Sequence, residues 1–195
     1  MQLLKNSLAA IGAISLVLLV VGLIKIYSLL QLFDEFDPQA QAFYEDFTQR
    51  IIDSRSGVEA LVTRVPVADG LDAAVVDESI RFIANELNIK NVGELPLYKE
   101  VESMSGTQFR YIKIYLLCNA MTAASMLNYS DAFSSYLPCR ITLLEDKDGK
   151  LWLYTMNMDL LIYGGRPLPP ALKAEAIKIR DIMLSIMQRA AQGDF

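Results

Sequence analysis

Cys118 and Cys139 are the two cysteines of a 195-residue chain that contains no histidine. The first ends the apolar run FRYIKIYLLC (109–118) and the second opens CRITLLE (139–145). Without imidazole the chain lacks the usual general base and the commonest metal ligand, which excludes His-dependent triads and ordinary zinc sites. Three roles are left for the pair: two small buried hydrophobes, a structural disulfide, or a thiol/disulfide redox couple. Period-two alternation groups Cys118 with Ile112, Ile114 and Leu116, and Cys139 with Ile141 and Leu143, so both thiols are expected on the apolar side of a sheet. If the chain between them returns to the same end of that sheet, the two strands run antiparallel and the thiols come within bridging reach, which needs Cα atoms under about 7 Å apart. A bridge closing a loop of about 20 residues would contribute roughly 3 kcal/mol in an oxidising compartment. Redox chemistry has less in its favour, because there is no C-x-x-C spacing and Arg140 is the one cation beside either thiol.

Other polar motifs carry less chemistry. DKDG (146–149) resembles the opening of a calcium loop, but a strand pattern follows where spaced oxygen ligands and a distal Glu would be needed, so a hairpin turn is expected. Gly164 and Gly165 in YGGRPLPP lack the spacing and the Lys-Ser/Thr pair of a phosphate loop; they suit a chain reversal, with Arg166 as a cap or anion ligand. No metal, cofactor or catalytic residue is expected from any of these.

The elements that position the cysteines follow from periodicity. Between residues 8 and 24 the run LAAIGAISLVLLVVGLI has no charge, which with its polar flanks suffices to cross a bilayer. No small-x-small cleavage site follows it, so a retained anchor is expected rather than a removed signal peptide. Lys5 precedes the span and Lys25 follows it; a short inner tail and an extracytoplasmic, periplasm-facing domain is the expected orientation. Ile26, Leu29, Leu30 and Phe33 continue a helical stripe. Asp37-Pro38 opens a second helix with Phe36, Phe43, Phe47 and Ile51 on one side, a stalk (34–57) that packs or dimerises.

For residues 58–195 the patterns predict a strand over 58–67, a helix over 69–88, an irregular or weakly extended segment through 106, and a strand over 109–118. A short helix, strands over 139–145 and 151–156, and a long helix over 171–191 follow; that last helix buries Leu172, Ala176, Ile179, Met183, Ile186, Met187 and Ala190. This is an α+β fold, an antiparallel sheet covered on one face by two helices. With Ile112, Ile114 and Leu116 assigned to the helices, Tyr111, Lys113 and Tyr115 turn the other way beside Trp152 and Tyr154. That aromatic face would serve self-association as a homodimer or a ligand platform.

The segments LCNAMTA, YLPCRITLLEDKDGKLWL and MNMDLLIYGGRPLPP resemble the domain of unknown function 302 family, small prokaryotic α+β domains with a C-N step after one strand and an L-P-C step opening another. The resemblance covers about 58–195. It implies a sheet-and-helix fold, dimeric through the sheet, and singles out Cys118, Asn119, Leu137, Pro138 and Cys139, with no activity attached. A net charge of −5 without a basic run excludes a phosphate-backbone partner, so no nucleic acid is expected. The expected protein is a non-catalytic accessory of a prokaryotic cell membrane, binding a partner protein or a small apolar ligand. A redox protein and a structural assembly factor are the alternatives.

Overall fold

The computed structural model describes residues 2–195; Met1 and the side chains of Leu3, Leu4, Leu8, Leu30 and Leu32, of which the sequence assigns Leu8 to the anchor and Leu30 to its stripe, lie outside the described residues. Helix α1 (Gln2–Phe33) contains a span, Lys5–Leu29, of 25 residues with mean hydropathy 2.7, none of its described side chains buried. At 1.5 Å per residue this covers about 37 Å, more than a bilayer's hydrocarbon core of about 30 Å.

Five strands, β1 (Val62–Pro66), β2 (Lys90–Leu95), β3 (Ile112–Cys118), β4 (Cys139–Glu145) and β5 (Leu151–Met156), form one sheet in the order β1-β5-β4-β3-β2. Every neighbouring pair is antiparallel. The DKDG turn closes the β4–β5 hairpin as expected. Asp146 Oδ1 accepts the backbone N–H of Asp148 and of Lys150, and Oδ2 accepts Nε1–H of Trp152 at 2.8 Å. Gly149 takes φ +80°, which a residue without Cβ adopts freely.

Two helices, α4 (Ala73–Glu86) and α8 (Pro170–Ala190), cover one face. Asp72 caps α4 by accepting from Ala74 and Val75 N–H. All seven positions expected on the buried side of α8 are buried. The parity of β3 is the reverse of expectation. Tyr115 and Leu117 are fully buried, and with Lys113 they face the helices beside Ile141, Leu143 and Leu153. Ile112, Ile114 and Leu116 fall on the opposite face with Thr142, Leu144, Trp152 and Tyr154, the registered partners across β4 and β5. Alternation alone shows that two sets exist; the polar set could turn inward here because α4 supplies Asp77 as partner for Lys113 and Tyr115.

Three segments differ from the sequence reading. The expected strand over 58–67 begins as a helical turn, α3 (Gly57–Ala60), capped by Ser56 accepting from Glu59 N–H. The segment expected to be irregular or weakly extended forms a full strand, β2, bulged between Asn91 and Gly93, and then an unexpected helix, α5 (Leu97–Ser105); the register break and shallow burial hide both periods. A further short helix, α7 (Asp159–Tyr163), follows β5.

Helix α2 (Ala40–Ser54) packs on the domain. Phe43, Met126, Ile162, Tyr163, Leu172 and Ala176 share a second apolar cluster with Phe47 at its margin, while Ile51, expected in the same stripe, is exposed. The YGGR segment docks this helix. Gly165 O accepts Asp37 N–H at 2.8 Å, Gly164 O accepts the Tyr44 hydroxyl at 2.6 Å, and Arg166 pairs with Glu35 at 2.8 Å. A Cβ on Gly164 would lie 2.4 Å from Leu160 O, so the reversal needs glycine there. The buried carboxylate of Asp37 meets Lys173 of α8.

Candidate binding site at the sheet end

The C-terminal end of β3, the N-terminal end of β4 and the C-terminal end of β5 lie together, because the three strands are consecutive antiparallel neighbours. Leu117 is registered opposite Cys139, so Cys118 sits one step along from the residue that faces it. The two cysteines have opposite strand parity, which corrects the expectation that they share a face. Both line one cavity of about 70 Å³. Both are free thiols.

The cavity is closed by α6 (Ala120–Tyr129), a 3₁₀ turn (Asp131–Ser135), α7 and α8. Asn119 caps α6: its Oδ1 accepts Thr122 N–H at 3.1 Å. Thr122 Oγ1 then donates to Glu175 of α8 at 2.6 Å, fastening the start of α6 to the long helix. Leu137 forms part of the wall and precedes Pro138 through a cis peptide bond. Thr155 Oγ1 donates to Arg140 O at 2.7 Å, tying β5 to β4 at the rim. Asn119, Tyr136 and Arg140 are exposed lining residues and mark the open side. The rest of the wall is mostly apolar and includes Met126, Met156 and Met158, which the sequence reading did not single out.

Burial, followed by the charge of the neighbouring Cys118, pushes the Cys139 thiol up to about 11. Cys139 is therefore a protonated thiol near neutral pH, the opposite of the depressed thiolate that reactive cysteines present.

Tyr111, Tyr115, Trp152 and Tyr154 are not one surface. Tyr115 is buried under α4, its hydroxyl donating to Asp77, and Tyr111 stacks on Tyr98 with centroids 4.9 Å apart. Trp152 and Tyr154 stay half-buried on the other face, with the Arg64 guanidinium 5.1 Å from the Trp152 ring.

A second polar group went unread in the sequence. Lys113 Nζ lies 2.7 Å from both Asp77 and Glu94, and Arg81 reaches the same two carboxylates at 3.0 and 2.8 Å. Burial pushes Glu94 up, but hydrogen bonds from Arg81, Lys113 and Asn91 outweigh it and hold the carboxyl at about 2. A lysine inside an apolar strand was the available signal. Two acids and two bases satisfying one another make a structural clamp between α4, β2 and β3.

An antiparallel five-stranded sheet roofed by two helices, with a small cavity at one strand end, defines a compact α+β domain. The chain belongs to the family described as Domain of unknown function DUF302, whose profile matches residues 64–190, from β1 to the end of α8. The crystal structure of an uncharacterized conserved DUF302 protein from Bacillus stearothermophilus superposes with a TM-score of 0.54. Sequence identity is 18%, over 67% of this chain and 98% of that one, a likeness of fold. No curated protein matches the chain.

Proposed function

We propose that this protein is held in a membrane by α1 and that its domain, on the extracytoplasmic side, binds a small ligand in the sheet-end cavity without catalysing a reaction on it. The observation that carries this reading is the convergence of Cys118, Asn119, Leu137 and Cys139, residues of two separate sequence motifs, on one space of about 70 Å³. That volume suits a group of a few heavy atoms; pockets that hold a whole metabolite run to about 300–1,000 Å³. Its lining has no carboxylate and the chain has no histidine, which leaves no acid–base pair to act on an occupant. The raised Cys139 thiol weighs against a redox couple.

Methyl-¹³C methionine labelling tests the cavity. Adding 1-butanol or xenon to the detergent-solubilised protein should shift the resonances of Met126, Met156 and Met158 and leave exposed Met104 unchanged. Shifts confined to Met104, or none at all, would remove the reading.

The anchor rests on the 25-residue uncovered span, and its orientation on Lys5 and Lys25. A reporter that works only in the cytoplasm, fused after Phe195, is expected to be silent while the fusion fractionates with membranes. Strong reporter activity would reverse the orientation.

A further inference from the structure

We propose that the cavity is a binding site for a cuprous ion, held by Cys118 and Cys139 with thioether support from Met126, Met156 and Met158. This rests on the cavity-binding reading above and names its ligand class. Two cysteines and three methionines line the same space of about 70 Å³, although they come from the ends of β3, β4 and β5, from α6, and from the turn before α7. Met126 and Met158 are buried, with 7% and 8% of their surface exposed, so this is not a chance surface scatter of sulfur.

The donor set decides the metal class. Soft thiolate and thioether ligands select Cu(I), whereas Mg²⁺, Ca²⁺ and Mn²⁺ require oxygen ligands that this wall does not supply as carboxylates. Zn²⁺ at a closed site takes four ligands from Cys, His and carboxylate, and only two are present. Thioethers carry no charge and no proton, which leaves their lone pairs free to donate at any pH, and methionine's flexible chain lets the sulfur follow the ion.

Loading balances without a redox step. Two S–H bonds break heterolytically, two protons leave to solvent, two Cu–S bonds form, and the copper stays in the +1 state. The site thereby passes from neutral to one net negative charge, which Arg140 on the open side opposes. Because uptake displaces thiol protons, it is favoured by higher pH.

The test uses the full-length chain in detergent, reduced and kept anaerobic, with Cu(I) buffered by bathocuproine disulfonate. The expected result is one copper retained per chain, an X-ray absorption spectrum with sulfur as the nearest scatterer, and methyl shifts at Met126, Met156 and Met158. Cys118→Ser and Cys139→Ser should each weaken retention by about 100-fold or more, roughly 3 kcal/mol. Because a serine inside the cavity can also disturb folding, the volume-conserving pair Met156→Leu and Met158→Leu is tested in parallel. Together they should weaken retention by about tenfold with an unchanged circular dichroism spectrum. Copper lost to the chelator by folded protein with two titratable thiols would overturn the proposal, as would retention with nitrogen or oxygen neighbours or retention indifferent to the methionine substitutions. If copper fails while 1-butanol still shifts the three methionines, the cavity-binding reading stands and only its ligand class falls; if both fail, both fall.

Discussion

Lys113→Met is expected to lower the stability of the folded domain by about 3–5 kcal/mol, the range for breaking a buried ion pair from one side. Lys113 is 8% exposed and its Nζ lies 2.7 Å from Asp77 and from Glu94, so removing it leaves two carboxylates facing each other with Arg81 as their one remaining cation. Methionine fits the volume, which makes the loss electrostatic rather than a cavity effect. Urea unfolding monitored by Trp152 fluorescence measures it; in thermal unfolding the change corresponds to a drop on the order of 10 °C for a domain of this size. An unchanged midpoint would show that the cluster contributes nothing.

The same cluster sets a pH dependence whose sign follows from Glu94. Its folded value of about 2 lies below the ordinary 4.5, so its contribution is fully present above about pH 4.5 and is lost as pH falls toward 2. Wild-type protein should therefore lose stability across that window. Glu94→Gln, which cannot titrate, should start less stable at neutral pH and lose less on acidification.

Lys173→Met is expected to release α2 from the domain. The Asp37 side chain is fully buried and its cation is Lys173; one carboxylate oxygen also accepts Gln39 N–H. Leaving that carboxylate unpaired costs about 3–5 kcal/mol if the structure stays closed, and undocking the helix into water is the cheaper response. Hydrogen exchange should rise across Ala40–Ser54 while α8 remains protected, and protease cleavage within 34–57 should accelerate. The double variant Asp37→Asn with Lys173→Met should recover much of the protection, since an amide tolerates burial that an unpaired carboxylate does not. Equal protection in the single variant and the wild type would mean that the aromatic contacts of Phe43, Tyr44 and Phe47 hold the helix alone.

Docking of α2 also bears on how α1 meets the domain. Phe33 at the end of α1, Phe36 and Tyr44 form a ring cluster with centroids 5.2 to 6.5 Å apart, next to the Gly164–Gly165 reversal. The same segment, 164–166, therefore holds both the chain leaving α1 and the start of α2. This is a more economical role for Arg166, paired with Glu35, than the anion binding its glycine neighbours suggested.

Read from residues alone, the apolar span, the seven buried positions of α8, the bounds of β4 and β5, and the DKDG hairpin were all legible. Each is dictated locally, by an unbroken apolar run, by a 3.6-residue period sustained over five turns, by strict alternation, or by turn chemistry that few residue types satisfy. That β3 and β4 are antiparallel neighbours sharing the end at which Cys118 and Cys139 lie was legible in outline, because a short connection between two strands implies such a pairing. What only the tertiary structure decided is which face of β3 turns inward and what else reaches the cavity. Lys113 and Tyr115 face the helices because Asp77, 36 and 38 residues away in the chain, completes their hydrogen bonds, and nothing within β3 encodes that partner. Met126, Met156 and Met158 belong to separate elements whose periodicity marks them only as apolar; they become a set with the two thiols when the closing helices bring those elements to one end of the sheet. Local patterns specify elements through interactions a few residues apart, whereas a charged residue's tolerance for burial, and the company a sulfur atom keeps, depend on groups the chain brings together only by folding.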